Sequence, residues 1–273
     1  MTAAFIKMHG LGNDFAIIKT DGKTFDISAK RISLLADRHR GIGFDQLILI
    51  DPPRRADTDA FMRIYNADGS EVGACGNASR CVAKLLMHDL KKTSLRIETK
   101  AAIIVALPAS GGKITVDMGP VHLGWHDIPL ARDVDTNESP VNIGPLHVAS
   151  CVNIGNPHAV FFVDDVTAVD LEVFGPQVEH HPLFPERVNV EIAQVIAPDT
   201  IRMRVWERGV GITQACGTGA CAAAIAGFRR NLTGRHVTVI LDGGTLDITW
   251  EESDNHIHMT GDATEAYRGT IEE

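Results

Sequence analysis

The chain has 273 residues, of which 44% are hydrophobic and 22% charged, and a formal net charge of −9. Its 25 glycines and 12 prolines are too few for a disordered or fibrous chain. The acidic balance excludes a general nucleic-acid binder, whose affinity comes largely from basic contacts to phosphate. No stretch approaches the roughly 18 uncharged apolar residues of a membrane helix, and the start, MTAAFIKMHG, lacks the apolar core of a signal peptide. A cytoplasmic protein with no membrane partner is expected, and at roughly 150 residues per domain two domains are favoured over one.

Strands are predicted at 4–8 and 15–19, a helix at 28–39, and strands at 47–50 and 61–65. A helix at 76–90 follows, then strands at 95–99, 102–107 and 113–118. Most of the strands are short, β-branched or aromatic, and bounded by Gly, Pro, Asn or Asp. Gly119-Pro120 opens a stretch rich in turn formers that runs through Gly144-Pro145 and reads as the boundary between halves. Beyond it come a strand at 158–163, a helix around 170–180, a strand at 201–206, a helix at 217–230 and strands at 236–240, 245–250 and 256–260. Helix 217–230 begins GTGACAAAIAG, small and apolar on all sides, which suits a helix enclosed by a curved mixed sheet. Helix 76–90, with Val82, Leu85 and Leu86 against Lys84, reads as an ordinary amphipathic helix.

The chain contains itself twice. MRIYNADGSEVGACGN at 62–77 matches MRVWERGVGITQACGT at 203–218 without a gap, at an offset of 141. GNDFAI at 12–17 matches GNPHAV at 155–160 at an offset of 143, which also sets Gln46 opposite Asn189. Ordered echoes at nearly one offset imply two structurally similar halves, with matched polar residues facing each other across a cleft. Packing explains the pairing of Ile64 with Val205. It does not explain why Asn, Gln and Cys recur.

The five cysteines are odd in number and carry no export signal, so reduced thiols are expected rather than a disulfide framework. Their C-x5-C and C-x4-C spacings are not the C-x2-C pair of common zinc sites, and no metal is expected. Cys75 and Cys216 stand apart, because each immediately precedes Gly-Asn-Ala or Gly-Thr-Gly at the start of a helix. A helix start offers unpaired N–H groups and a positive dipole end. It can lower a thiol's pKa and hold a small anion such as an α-carboxylate. Two such cysteines on opposite sides of one ligand could remove a proton from one face of a tetrahedral carbon and deliver one to the other, with neither metal nor cofactor. General acid–base action supplies about 10²–10⁴-fold, so the rest must come from hydrogen bonds and helix dipoles in a dry site.

The motifs GNDF at 12–15, NADGSE at 66–71, CGN at 75–77, GNPH at 155–158, WERG at 206–209 and ACGTGACAA at 215–223 resemble those of diaminopimelate epimerase, in that family's order and over nearly the whole chain. The resemblance implies a PLP-independent isomerase interconverting LL- and meso-2,6-diaminoheptanedioate in lysine and peptidoglycan biosynthesis. It implies an α/β (α+β) fold of two pseudo-symmetric domains, each a curved, barrel-like mixed sheet around a central helix, with the site in the cleft and commonly a homodimer. The domains would be 1–118 with a returning tail at 264–273, and 119–263. Carried over by motif, Cys75 and Cys216 are the acid/base pair. Gly76, Asn77, Gly217 and Thr218 hold the reacting carboxylate. Asn13, Asn66, Asn156, Asn189 and Arg208 read the distal end, with Gln46 and Glu207 nearby, and His158 and Glu207 tune protonation. Two positions depart from the family's pattern, Ala78 for Gly and Ile212 for Glu, and neither is a residue assigned to substrate.

Two alternatives follow from the same residues. A proline or hydroxyproline racemase also uses two cysteines, but its ligand has one amino-acid end and would leave the distal set without work. A zinc-stabilised, non-enzymatic protein would use Cys75, Cys81, Cys216 and Cys221 as ligands, at irregular spacing.

Overall fold

The computed structural model describes residues 2–25, 27–73 and 75–272. Positions 1, 26, 74 and 273 fall outside it, and with them the outer ends of the predicted first domain and its tail. The first elements are β1 (Thr2–Gly10), β2 (Asn13–Lys19), α1 (Ala29–Ala36), β3 (Gln46–Asp51), β4 (Ala60–Asn66), β5 (Glu71–Val72) and α2 (Gly76–Leu90). After these come β6 (Leu95–Glu98), β7 (Ile103–Pro108), β8 (Ile114–Pro120), β9 (Ser139–Ile143), β10 (Leu146–Asn153), β11 (Pro157–Phe162) and α3 (Leu171–Glu179). The chain then forms β12 (Asn189–Ala197), β13 (Thr200–Glu207), β14 (Gly211–Ile212), α4 (Gly217–Arg229), β15 (His236–Leu241), β16 (Gly244–Trp250), β17 (His256–Gly261) and β18 (Thr264–Glu272). It divides into two compact units, Met1–Asp117 with Thr260–Glu273, and Met118–Met259.

In the first unit β1 lies between β18 and β2, both antiparallel to it. The sheet continues through parallel β3 and antiparallel β4, and then β4 pairs in parallel with β6, followed by β7 and β8. Side chains alternate across a strand, so Ala16, Ile18, Leu47 and Leu49 pack with Ile32 and Leu35 of α1 on one face. Their neighbours Phe15, Ile17 and Ile48, on the opposite face, are also fully buried, and α2 packs against β1, β2, β6 and β7.

The second unit repeats the plan, with β10 and β11 antiparallel, β12 parallel to β11, β13 antiparallel to β12, and β15 parallel to β13. The residues of one face, Ala159, Phe161, Val190 and Ile192, pack with Leu171 and Val178 of α3. Helix α4 packs against β10, β11, β12, β13, β15 and β16. Its buried residues include Gly217 and all nine from Gly219 to Gly227, as its all-round apolar sequence predicts. The duplication holds at the level of register. Phe15 opposite Gln46 corresponds to His158 opposite Asn189, and Tyr65 opposite Glu71 corresponds to Trp206 opposite Ile212.

Three expectations change. Helix α2 is not an ordinary amphipathic helix: Asn77 through Ala83 are all buried, Ser79 and Arg80 completely. The stretch from Gly119 to Pro145 is more than a connector, because it contributes Ile128, Leu130 and Val141 to the second core and forms β9. Finally, β9, β10, β12 and β18 are absent from the predicted strands. In β18 nearly every side chain is exposed or half-exposed. It lacks an apolar signature and exists because β1 supplies a ladder, from Thr2 opposite Glu272 to His9 opposite Thr264.

One turn ties α1 to the strand that ends at Asn66. Gly69 has φ +87°, and a Cβ there would sit 2.4 Å from Cα of Ala29. Gly69→Ala therefore combines a left-handed backbone with a clash against the start of α1. Overpacking of this kind costs about 1–3 kcal/mol, and equilibrium unfolding in urea should show a lower midpoint at unchanged slope. An unshifted midpoint would mean that the turn is not held against α1.

Candidate active site

In each unit a cysteine is the residue immediately before the enclosed helix. Cys75 caps α2 and Cys216 caps α4, both in extended backbone (φ −153°, ψ 111° and φ −117°, ψ 111°). Each carbonyl accepts the first helical hydrogen bond, from Ser79 N–H at 2.9 Å and from Ala220 N–H at 3.0 Å. The Cys216 side chain accepts from the Gly219 amide, while the Cys75 side chain meets Asn13 Oδ1.

Around Cys75 two of the predicted residues, Asn13 and Asn77, form a connected set. Cys75 Sγ lies 3.9 Å from Asn13 Oδ1, which also accepts from Asn77 Nδ2 at 3.3 Å. Asn77 Oδ1 accepts from Arg80 Nη2 at 2.9 Å, and Arg80 Nε donates to the Asp262 carbonyl at 3.2 Å. The other side of Asn13 donates to Asp45 Oδ2 at 2.9 Å. Asp45 in turn is gripped by Arg38, which bonds Asp14 through both terminal nitrogens. Burial alone would raise the Asp14 carboxyl, but Arg38 and Lys7 outweigh it and hold that group well below the usual carboxylate range. Gln46 donates to Asn66 Oδ1 at 3.0 Å, and Asn66 donates to Ser70 Oγ at 3.1 Å. The Gln46 Oε1 atom is buried without a hydrogen-bond partner, a spare acceptor of the kind an ammonium group would use.

The half-site of the second unit is more acidic and drier. Cys216 is 5% exposed. Its sulfur accepts from Gly219 N–H at 3.4 Å and lies 3.5 Å from Thr218 Oγ1. Burial, reinforced by the carboxylates of Glu207 and Glu191, pushes the Cys216 thiol well above its ordinary range, against the opposing pull of Thr218 and the Gly219 amide. This corrects the expectation that a helix start lowers the thiol's pKa, because two buried negative charges and desolvation outweigh one amide. Burial also raises Glu207, whose Oε1 accepts from Thr213 Oγ1.

His158 is completely buried, with Nδ1 2.6 Å from Glu191 Oε1 and Nε2 2.9 Å from Asn156 Oδ1. Asn189 donates to the Pro157 carbonyl at 2.9 Å and accepts from Arg208 N–H at 2.9 Å, which fixes the turn after β13. The Arg208 guanidinium donates to the Glu186 carbonyl at 3.1 Å. The same turn is pinned from α3, because Glu179 accepts from Trp206 Nε1 at 2.7 Å and from Gly209 N–H at 2.9 Å. Ile212, at the family's Glu position, pairs with Trp206 and is partly exposed.

Within the first unit Asn13 and Asn77 share contacts with Cys75, which Gly76 follows at the helix start, while Gln46 and Asn66 bond each other and Ser70. Within the second, Gly217 and Thr218 adjoin Cys216 at the start of α4, Asn156 bonds His158, and Asn189 bonds the Arg208 amide. Sequence reasoning missed Arg80, Glu179 and Glu191. Each stands in an apolar or helical run, and the only signal was a charged residue where the pattern calls for an apolar one. Burial in the core pushes the Cys81 and Cys151 thiols up to about 12.

A profile of the family described as "Diaminopimelate epimerase" matches residues 5–124 and 150–265. Among relatives of that name, the protein of Rhodospirillum centenum is 51% identical over 273 residues, covering 100% of this chain and 94% of that one. The protein of Erythrobacter litoralis is 52% identical, covering 100% and 98%. Solved structures share the fold at low identity. A PhzF-family phenazine biosynthesis protein of Bacillus anthracis has a TM-score of 0.71 at 15% identity and full coverage of both chains. A hydroxyproline epimerase of Agrobacterium vitis has 0.67 at 14%, covering 99% of this chain and 92% of that one. Two cysteine-capped helices in a duplicated α+β fold, with half the sequence shared over its full length, place this chain in the diaminopimelate epimerase family of isomerases.

Proposed function

We propose that the protein interconverts LL- and meso-2,6-diaminoheptanedioate by moving the α-proton between two thiols, one from each unit. The observation that carries this reading is the repeated placement of Cys75 and Cys216 as caps of the two enclosed helices. In the direction that starts from a protonated Cys216, Cys75 acts as thiolate. Its sulfur takes the α-hydrogen, and the C–H electron pair stays on carbon. The Cys216 S–H then delivers its proton to the opposite face, leaving Cys75 as thiol and Cys216 as thiolate. The reverse reaction exchanges the roles, and solvent restores the starting protonation.

The first-turn amides, with Asn77 and Thr218, supply hydrogen bonds to the carboxylate, whose charge grows as the carbon becomes carbanion-like. At the distal amino-acid end, Arg208 would meet the carboxylate and the amides of Asn13, Asn66, Asn156 and Asn189 the remaining polar atoms. Gln46 Oε1 would take an ammonium hydrogen. Recognition of both ends favours diaminopimelate over proline or hydroxyproline, because a one-ended ligand would leave the distal polar set without a ligand group to meet. The lysine-pathway role and homodimer rest on the resemblance. No helix among the described residues is long and apolar enough to cross a membrane.

Cys75→Ala and Cys216→Ala should each abolish conversion of either isomer, followed by chiral chromatography, while circular dichroism remains unchanged. Normal turnover in either folded variant would overturn the two-thiol assignment.

Arg208→Met should lower kcat/KM about 10- to 100-fold, chiefly through KM, in line with the ~1.5–3 kcal/mol of a hydrogen bond to a charged group. An unchanged KM would remove Arg208 from the distal set.

A further inference from the structure

Among the positions at which the duplication is broken, three stand out by a charge in one unit only; Asp14 and Asp45, opposite Pro157 and Val188, are others, but Lys7 and Arg38 neutralise them. At the repeat's offsets, Glu191 corresponds to Ile48, Glu207 to Asn66 and Cys221 to Arg80. At two of these three positions the Cys216 unit is acidic where the Cys75 unit is neutral. The Cys75 unit has a fully buried arginine where the other has a fully buried cysteine. The strand registers place Ile48 and Glu191 equivalently, two residues beyond Gln46 on β3 and two beyond Asn189 on β12.

Glu191 is the least expected of these residues. It is 0% exposed in the run VNVEIA, and its Oε2 has no hydrogen-bond partner. Its Oε1 bonds His158 Nδ1 at 2.6 Å, and a Cβ added at Gly219 would lie 2.8 Å from that same oxygen. Gly219 is also the residue whose N–H reaches Cys216 Sγ. The carboxylate therefore lies directly beneath the first turn of α4, and only a glycine lets it come so close. The charged and titratable groups around it are His158 on β11, Glu207 at the end of β13, Cys216 at the α4 cap and Cys151 on β10. Arg229, at the far end of α4, donates to the Cys151 carbonyl at 3.1 Å.

We propose that Glu191 is a positioning residue that keeps the resting proton on Cys216, so that Cys75 begins the cycle as the base. It acts in two ways. Its negative charge opposes a second negative charge on the sulfur across the Gly219 turn. Its bond to Nδ1 fixes the ring of His158 and presents Nε2 to Asn156. On the other side, Arg80 holds Asn77, and through it Asn13, with a positive charge in the helix that Cys75 caps. The suppressed ionisation of Cys216, caused first by burial and then by Glu207 and Glu191, agrees with this geometry. The inference rests on the two-thiol reading but concerns which thiol holds the proton.

The test is iodoacetamide labelling of the reduced protein over a pH series, with Cys75 and Cys216 followed separately by peptide mass spectrometry. The onset pH, rather than the absolute rate, reports ionisation, because burial slows Cys216 at every pH. The wild type should label Cys75 at lower pH than Cys216. In Glu191→Gln, which keeps the size and an acceptor for His158, the Cys216 onset should fall by about one pH unit, a tenfold change in thiolate at fixed pH. The Cys75 onset should stay in place, and the pH profile of kcat should shift with KM nearly constant. An unmoved Cys216 onset in a folded variant overturns the proposal. So does a reversed order in the wild type, which decides the matter even if Glu191→Gln does not fold. Correct labelling with no epimerisation would leave this inference standing and defeat the proposed reaction instead.

Discussion

Both units of this chain are organised around a cysteine placed just before an enclosed helix, where the first-turn amides lack helical partners; at Cys216 the sulfur accepts from one of them. That placement requires an extended residue followed by glycine, a helix whose start can be buried, and a sheet wide enough to enclose it. Helix α4 meets the second requirement with a run of Gly and Ala that lets strands approach on several sides. Helix α2 meets it at greater expense, by burying Arg80 and satisfying it through Asn77 and the Asp262 carbonyl. The asparagines of the half-sites follow from the same constraint. Neutral amides can be buried if bonded, and they can answer both charges of a zwitterion without the desolvation cost of full ions.

Duplication supplies two such sites, yet in the proposed reaction two identical thiols could not begin a proton transfer, since one must give while the other takes. The broken positions offer a source of difference. Glu191 and Glu207 stand on the Cys216 side and Arg80 lies in the helix of Cys75, while shared Asn, Gly and strand registers are retained. Electrostatic asymmetry on a symmetric backbone is an economical way to obtain opposite roles from one residue type, in the manner of paired carboxylates whose environments separate their pKa values.

The sequence displayed the sites better than the fold. Cys75, Cys216, Asn13, Asn156, Gln46 and Asn189 stood out because the chain repeats them, and a repeated polar residue has no packing explanation. The enclosed helix α4 was legible from its all-round apolar composition. Strand β18 was not, because its side chains are largely exposed and its stability comes from pairing with β1, a long-range fact absent from local pattern. Strand β12 was obscured by Asn189 and Glu191, polar residues buried in an otherwise apolar run. Arg80 was hidden for a similar reason, since a charged residue in a helix ordinarily signals the solvent face. The lowered thiol pKa expected from the helix start failed at Cys216 because its carboxylate neighbours come from β12 and β13, distant in sequence.

The most direct test of two thiols acting on opposite faces of one carbon is proton NMR of reduced wild-type enzyme with LL-diaminopimelate in D2O at early times. With two bases, newly formed meso product carries deuterium at the inverted centre while unreacted LL substrate keeps its α-hydrogen. Deuterium entering the substrate as fast as the product would mean that one group serves both faces, and would contradict the division of labour between Cys75 and Cys216.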